Sequence, residues 1–263
     1  MWVRSTMFRV YPFGLYVQER DATLEFMKGV KHRLLKAGDI DRALRAEMFR
    51  LLERYYTEVS FEKFCGDLEE KDHVFSFWFG RQLIGFSTVL RKRTQAPLKA
   101  VLVFSGDTVI DEEFWGGKFL QAAFSRYLLK TKRENPFRPV YWMLISKGYK
   151  TYLMMRRNFP ISFPNPGGEI PEDVKGVMDD YYALKFGEAY VRKPGLILCD
   201  GAGGAVRGNL AVPSDEALKN ADINHFVTSN PNYKRGDELA CAALIRIRDL
   251  LALVPKYLLG RKR

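Results

Sequence analysis

A chain of 263 residues with 47% hydrophobic and 28% charged content has the material for a substantial core and is not a disordered tail. Three cysteines, Cys65, Cys199 and Cys241, stand far apart with no CxxC spacing, which argues against a disulfide framework or a zinc ribbon and points to a reducing, cytoplasmic setting. The formal charge of +11 favours an anionic partner, whether nucleic acid, an acidic membrane surface, a phosphorylated cofactor or an acidic carrier protein, and neither a zinc-finger spacing nor an RRM-like aromatic motif supports nucleic acid. No apolar run has the length of a signal-peptide core or a bilayer span, so the expectation is a protein that is soluble or peripheral to a membrane.

In chain order, Met7 to Gln18 has strand-like content interrupted by Pro12 and Gly14, and reads as a short, bent first strand. Asp21 caps an expected helix with Leu24, Met27, Val30, Leu34 and Leu35 on one face, ending near Gly38. A second helix is expected from about Ile40 to Val59, and a third follows Ser60, with Phe61, Phe64, Cys65 and Leu68 as its stripe. At helical spacing, core packing outweighs catalysis for Tyr55, Tyr56 and Cys65.

From His73 the period becomes that of strands: HVFSFWF, a Gly80-Arg81-Gln82 turn, then LIGFSTVL, which together read as a hairpin. Gly85 inside the second strand marks a bulge, a close approach by another backbone or ligand, or a plain relief of twist. Leu98 to Phe104 starts a third strand that leads through an acidic turn to Gly116-Gly117 and a helix with Phe119, Leu120, Ala123, Phe124, Tyr127 and Leu128 on one face. A strand handed to a helix through glycines presents backbone N–H groups and the positive helix end to an anion, so this turn is a candidate phosphate holder. Val140 to Ile145 reads as a strand buried on both faces, followed by a helix over Ser146 to Asn158; the resulting βαβ unit places its two strands parallel and adjacent.

Pro171 opens a further helix that ends near Gly187. Between Ala189 and Asn224 lie one apolar run, Leu196 to Cys199, and the sequence GAGGAVRG, which reads as a flexible or ligand-covering loop because no adequate helix follows it. His225 to Thr228 and Leu239 to Ile245 are expected to form a long hairpin. Packing or a surface role outweighs catalysis for His32, His73 and His225. Arg246 to Arg263 is an amphipathic basic helix that Pro255 should kink or divide; it would dock on the protein's own core, or lie on an anionic membrane at ~1 kcal/mol per basic residue.

The order of helices, hairpin, strand, glycine turn, helix, strand, helix and late hairpin resembles the GNAT superfamily of acyltransferases. The resemblance rests on TVIDEEFWGGKFLQAAF, similar to that family's strand-to-helix pyrophosphate turn, and on VYWMLISKGYKTYLMMRRNFP, similar to its next strand and helix. In that family the turn usually reads Arg or Gln, two residues, Gly, one residue, Gly or Ala. Here Trp115, Lys118 and Leu120 occupy those positions, and Gly116 and Gly117 keep the backbone exposed. The implied fold is α/β: a single GNAT-like mixed sheet with flanking helices, its core at about 40–160 and 224–246, an insertion at 161–223, and the amphipathic terminal helix at 246–263.

The same resemblance implies transfer of an acyl group from a thioester, coenzyme A or the phosphopantetheine of an acyl carrier protein, to an amine. The donor would contact Val109, Ile110, Gly116, Gly117 and Lys118, with a strand N–H polarising the thioester carbonyl. Asp107 or Asp111 would act as base, and Tyr149 or Tyr152 would protonate the leaving thiolate. The alternative is a catalytically silent GNAT-like module that holds an anionic partner or membrane surface on its basic face.

Overall fold

The computed structural model describes residues 29–57, 59–95, 98–193, 195–198 and 212–257. They form one mixed sheet in the order β1-β2-β3-β4-β5-β9-β8-β7, with β6 paired to β9. Its strands are β1 (Val30–Lys36), β2 (His73–Phe79), β3 (Gln82–Arg93), β4 (Val101–Ile110), β5 (Val140–Ser146), β6 (Ser162–Phe163), β7 (Tyr190–Val191), β8 (Leu196–Ile197) and β9 (Glu238–Leu244). The helices are α1 (Arg42–Leu52), α2 (Phe61–Glu69), α3 (Phe119–Glu134), α4 (Tyr149–Asn158), α5 (Glu172–Phe186), α6 (Asp215–Leu218), α7 (Ala221–Ser229) and α8 (Ile247–Tyr257). Strands β1 to β4 run antiparallel in sequence, β4 and β5 are parallel across the α3 crossover, and β9 returns antiparallel to β5.

Alternation along the strands divides the core in two. On one face Val101 and Val103 of β4, Val140, Trp142 and Leu144 of β5, and Leu239, Cys241 and Ala243 of β9 meet α3, α4, α7 and α8. On the other face Leu102 and Phe104, Tyr141 and Met143, and Ala240 and Ala242 meet α5. Beside them Val74, Leu83, Phe86 and Val109 carry α1 and α2. Local chemistry sets the helix starts: Asp41 accepts from Leu44 N, Ser60 from Lys63 N, and Asn220 from Asp222 N and Ile223 N.

The hairpin, the βαβ unit and the parallel β4–β5 pair are as the sequence implies. Several other elements differ. Val30 to Lys36, expected inside a helix, is an edge strand on β2, because the open side of β2 satisfies its backbone groups and overrides helical periodicity. The end of that expected helix, near Gly38, is a 3-10 turn over Ala37–Asp39, and the part of it before residue 29, with the expected strand at Met7 to Gln18, lies outside the described residues. Helix α1 stops at Leu52, not Val59, and the third strand continues to Ile110, where the expected acidic turn begins with Asp111 as the cap of a single 3-10 turn over Glu112–Phe114. His225 to Thr228 is not a strand: it belongs to α7, so β9 forms no late hairpin and pairs instead with β5, β6 and β8. The GAGGAVRG stretch lies outside the described residues. Helix α8 runs undivided through Pro255 to Tyr257 and buries Leu250 and Leu253 against the core shared with α3. Among the described residues, no helix is long and apolar enough to cross a membrane.

Gly85 sits where β2 and β3 lose register, and a β-carbon there would stand 2.4 Å from Ile110 Cδ1 and 2.8 Å from the Val109 carbonyl oxygen. The close neighbour is the backbone of β4, which cannot swing away as a side chain can. Gly85→Ala is therefore expected to lower unfolding stability by about 2 kcal/mol through overpacking, read as a lower urea midpoint with an unchanged slope. A loss under about 0.5 kcal/mol would show that the strands move apart freely there.

Candidate active site at the divergence of β4 and β5

Strands β4 and β5 pair only from Val101–Val140 to Phe104–Met143. Beyond that point β4 stays with β3 up to Ile110, while β5 stays with β9 up to Ser146. The edge of β4 from Ser105 onward therefore has no partner strand among the described residues. Two features accompany the separation. Gly106 and Asp107 together oppose the single residue Thr88, a bulge in β4, and a β-carbon at Gly106 would fall 2.5 Å from Thr88 Oγ1. Trp142 of β5 donates its indole N–H to Ser105 Oγ at 2.9 Å, holding the strands at their point of parting.

The bulge aims Asp107 away from α3, toward the face that carries α1, α2 and α5. It meets an ionisable cluster there: Lys71 after α2, Tyr56 after α1, Lys147 after β5 and Glu238 at the start of β9. Lys147 Nζ lies 3.5 Å from Glu238 Oε1, with 19% and 16% of the two side chains exposed. Burial pushes the Glu238 carboxyl up to about 7, Lys147 opposing the rise and Asp107 adding to it. Burial likewise raises Asp107, with Asp67 adding and Lys71, Lys147 and Lys185 pulling it back. Tyr56 is raised by burial and by the charges of Asp107 and Glu238, which keeps its hydroxyl protonated. Lys71, 7% exposed, is lowered by burial and by Lys185, and its Nζ donates to the Asp67 carbonyl at 2.7 Å.

At its end β4 runs into the glycine turn, which leads to α3. Gly116 has φ +86° with open space where a β-carbon would stand, whereas a β-carbon on Gly117 would meet the Phe119 ring at 2.4 Å. Lys118 is the N-cap residue of α3 and no side chain caps that helix, so its first turn offers backbone N–H groups. The turn is braced from α1: Arg54 pairs with Asp111 at 2.8 Å, Tyr55 Oη accepts from Glu112 N at 2.7 Å, and Trp115 Nε1 donates to the Ile110 carbonyl at 2.8 Å.

Of the residues expected from sequence, Asp107, Val109 and Ile110 lie on the unpartnered part of β4, and Gly116, Gly117 and Lys118 form the adjoining turn. Asp111 is occupied as a turn residue, paired with Arg54 and accepting from Glu113 N. Tyr152 is fully buried and donates its hydroxyl to the Pro164 carbonyl at 2.9 Å, packed against Phe226, so it stands apart from Asp107. Tyr149 starts α4 on the α3 side of the sheet, near Tyr233, whose hydroxyl pKa is raised by burial and, secondarily, by Tyr149. Glu238, Lys147 and Lys71 were not legible as site residues, and Tyr56, expected to be simple packing, contributes its hydroxyl to the cluster. The only sequence signal for Glu238 is a charged residue at the head of the apolar run ELACAAL.

No family model matches the chain, and no curated protein matches it. Solved structures similar to it include Escherichia coli ElaA, 18% identical with a TM-score of 0.35, over 54% of this chain and 92% of that one. An acyl-CoA N-acyltransferase from Pseudomonas aeruginosa is 17% identical with a TM-score of 0.35, over 49% and 88%. An aminoglycoside acetyltransferase from an uncultured soil metagenomic sample is 18% identical with a TM-score of 0.33, over 44% and 77%. The mixed, GNAT-like sheet with flanking helices stands on this chain's own topology: an antiparallel run β1 to β4, the α3 crossover to a parallel β5, and an antiparallel β9.

Glu238 yields a pH signature. Its folded-state value of about 7 exceeds the ordinary 4.5. Between those values the native state keeps a proton that the unfolded chain has released, so stability falls as pH rises across that window. In Glu238→Gln this decline should flatten, which urea denaturation at pH 5 and pH 8 would register. An equal decline in both proteins would place the titration elsewhere.

Proposed function

We propose that the chain is an N-acyltransferase that moves an acyl group from a thioester donor to an amine. The observation that carries the reading is the parting of β4 from β5, where an unpartnered strand edge runs into a glycine turn and two carboxylates of raised pKa stand beside it. The unpartnered edge of β4 suits an extended, amide-bearing arm such as phosphopantetheine, because its amides can pair with strand backbone as another strand would. Gly116, Lys118 and the uncapped first turn of α3 suit the phosphates of such a donor. Coenzyme A is the donor we favour, as its phosphates match that turn. The donor is a substrate, and no resident cofactor or metal is required by this reading.

In the reaction, Glu238, whose value lies near neutrality, removes the proton from the acceptor ammonium, and Asp107 beside it shares that role directly or through water. The amine nitrogen then attacks the thioester carbon, and a backbone N–H of β4 at Val109 or Ile110 stabilises the carbonyl oxygen as it gains charge. As the carbon–sulfur bond breaks, the thiolate takes a proton, for which we assign Tyr149 on the donor side of the sheet, while the nitrogen releases its second proton to water and solvent returns one to the tyrosine. Tyr152 is not given this role because its hydroxyl is engaged by Pro164. The burial of Leu250 and Leu253 by α8 favours a terminal helix docked on its own core over one lying on a membrane.

Acetyl-coenzyme A and longer acyl thioesters, offered with a panel of primary amines, should release free thiol in the presence of the protein. Absence of both thiol release and thermal stabilisation by every donor would remove the proposal. Glu238→Gln is expected to lower kcat/KM by about 100-fold or more and to shift or abolish the acidic limb of its pH profile. Gly116→Val, which forces a branched side chain onto φ +86°, should weaken donor binding more than it alters the acceptor KM.

A further inference from the structure

Helix α5 belongs to the segment between β6 and β7, outside the strand–turn–helix unit that would hold the donor. It lies on the face opposite α3, and between it, β3 and the end of α2 is a recess of about 380 Å³ lined by Glu70, Leu90, Lys92, Tyr181, Leu184 and Lys185. Tyr181 is only 5% exposed, yet its hydroxyl has no hydrogen-bond partner among the described residues. Lys185, its side chain 11% exposed, bonds Glu70 at 3.0 Å and lies over the Phe104 ring at 5.4 Å. Lys71 and Lys92 join Lys185 in acting on Glu70, so three cations gather about one carboxylate. Leu90 and the 76% exposed Leu184 supply apolar wall.

The recess adjoins the surroundings of Asp107 through Lys185, which lines it. Phe104 is the last β4 residue paired with β5, and Lys185 and Lys71 both act on Asp107. A second buried hydroxyl without a partner, that of Thr88, lies at the bulge between them, where a β-carbon on Gly106 would also meet Lys71 Cε at 3.1 Å. A buried hydroxyl left unpaired is costly, and an excess of lysines beside it favours an anion that accepts its hydrogen bond. Because the recess lies on the face opposite α3, the helix that the glycine turn leads into, we assign this anion to the acceptor and not to the donor.

Resting on the acyl-transfer reading, we propose that this recess is the acceptor subsite and that it holds the carboxylate of an amino acid-like acceptor, with Tyr181 and Lys185 as its contacts and the amine directed toward Asp107 and Glu238. Tyr181 donates to the carboxylate, and Lys185 bridges it to Glu70. Raised by burial and by Glu70, the tyrosine hydroxyl stays protonated and remains a donor.

The test pairs straight-chain ω-amino acids with alkylamines of matched length, using the full chain, with O-phosphoethanolamine as a third arm. Thermal shift without donor, and kcat/KM with acetyl-coenzyme A, are read in the wild type, Tyr181→Phe and Lys185→Met. The amino acids should stabilise the wild type more than the alkylamines and be preferred about tenfold or more, and each substitution should reduce that preference about tenfold. Tyr181→Phe retains the ring and its packing, so its result is not open to misreading as unfolding. Equal use and equal binding of acid and neutral amines by the wild type, or a preference that survives both substitutions, would overturn the subsite. A stronger preference for the phosphate-bearing amine would overturn the carboxylate assignment. Selective binding of amino acids without acyl transfer to any amine would leave the subsite standing and remove the acyl-transfer reading, whereas transfer without acid preference would do the reverse.

Discussion

The bulge at Gly106 and Asp107 controls what the end of this sheet can do. One extra residue in β4 against Thr88 reverses the facing of every later side chain on the strand: Phe104 packs under α5, and Val109 packs under α1 and α2 on that same face despite its odd number. Without the extra residue Asp107 would face α3, on the donor side, and Thr108 would occupy its place. The bulge also strengthens local twist, which suits a strand that leaves its parallel neighbour while keeping its antiparallel one. Glycine at position 106 is a packing requirement, because Thr88 Oγ1 and Lys71 Cε leave no room for a methyl group.

The charges gathered where β4 and β5 part are poor material for stability. Removing a carboxylate or ammonium from water costs more than a single imperfect partner returns, and the 3.5 Å separation of Lys147 and Glu238 is long for a strong charge-assisted bond. The raised Glu238 and Asp107 and the lowered Lys71 record that desolvation. The proposed proton transfer would give such a cluster a use, since that chemistry benefits from a carboxylate that can hold or release a proton near neutrality. The contrast with Asp111 is informative: that carboxylate is as buried, but it holds Arg54 and a turn N–H, and its place is accounted for by the loop it shapes.

Much of the architecture is legible in the sequence, and the failures have physical causes. Continuous runs such as VYWMLI and HVFSFWF announce strands because no helix of that length buries so little polar surface, and Ser60 announces α2 because its hydroxyl caps Lys63 N. Lys31 to Leu35 does not announce β1, since that segment is mostly exposed and its state is decided by the vacant edge of β2 rather than by its own pattern. His225 to Thr228 carries strand-like residues, but Asn220 caps a helix upstream and Phe226 is needed inside the α4–α7 contact. Asp107 was within reach, as a carboxylate beside a glycine late in a strand. Glu238 was not, because its position depends on β9 returning beside β5, and no local pattern encodes a partner almost a hundred residues earlier.

The two faces of the sheet divide the chemistry in a way that explains the chain's departures at the glycine turn. Trp115 replaces a flexible polar side chain with an indole that ties the turn to the Ile110 carbonyl, and Tyr55 supports it from α1. The turn is therefore rigidly mounted, and the backbone freedom it retains is concentrated at Gly116, the one position there with positive φ and open surroundings. Under the proposed acyl transfer, such a mount would hold phosphates by fewer groups than a turn with several open glycines, and the helix end and the Lys118 backbone would carry more of the contact. On the proposed reading, discrimination would fall to the face of α5, which is anchored by the Tyr182 hydroxyl between the Leu144 and Cys241 carbonyls, at 2.9 and 2.7 Å. Those two residues are directly paired across β5 and β9. The helix that lines the recess is thus fixed to the same strands that position Lys147 and Glu238, and movement of one would be felt by the other.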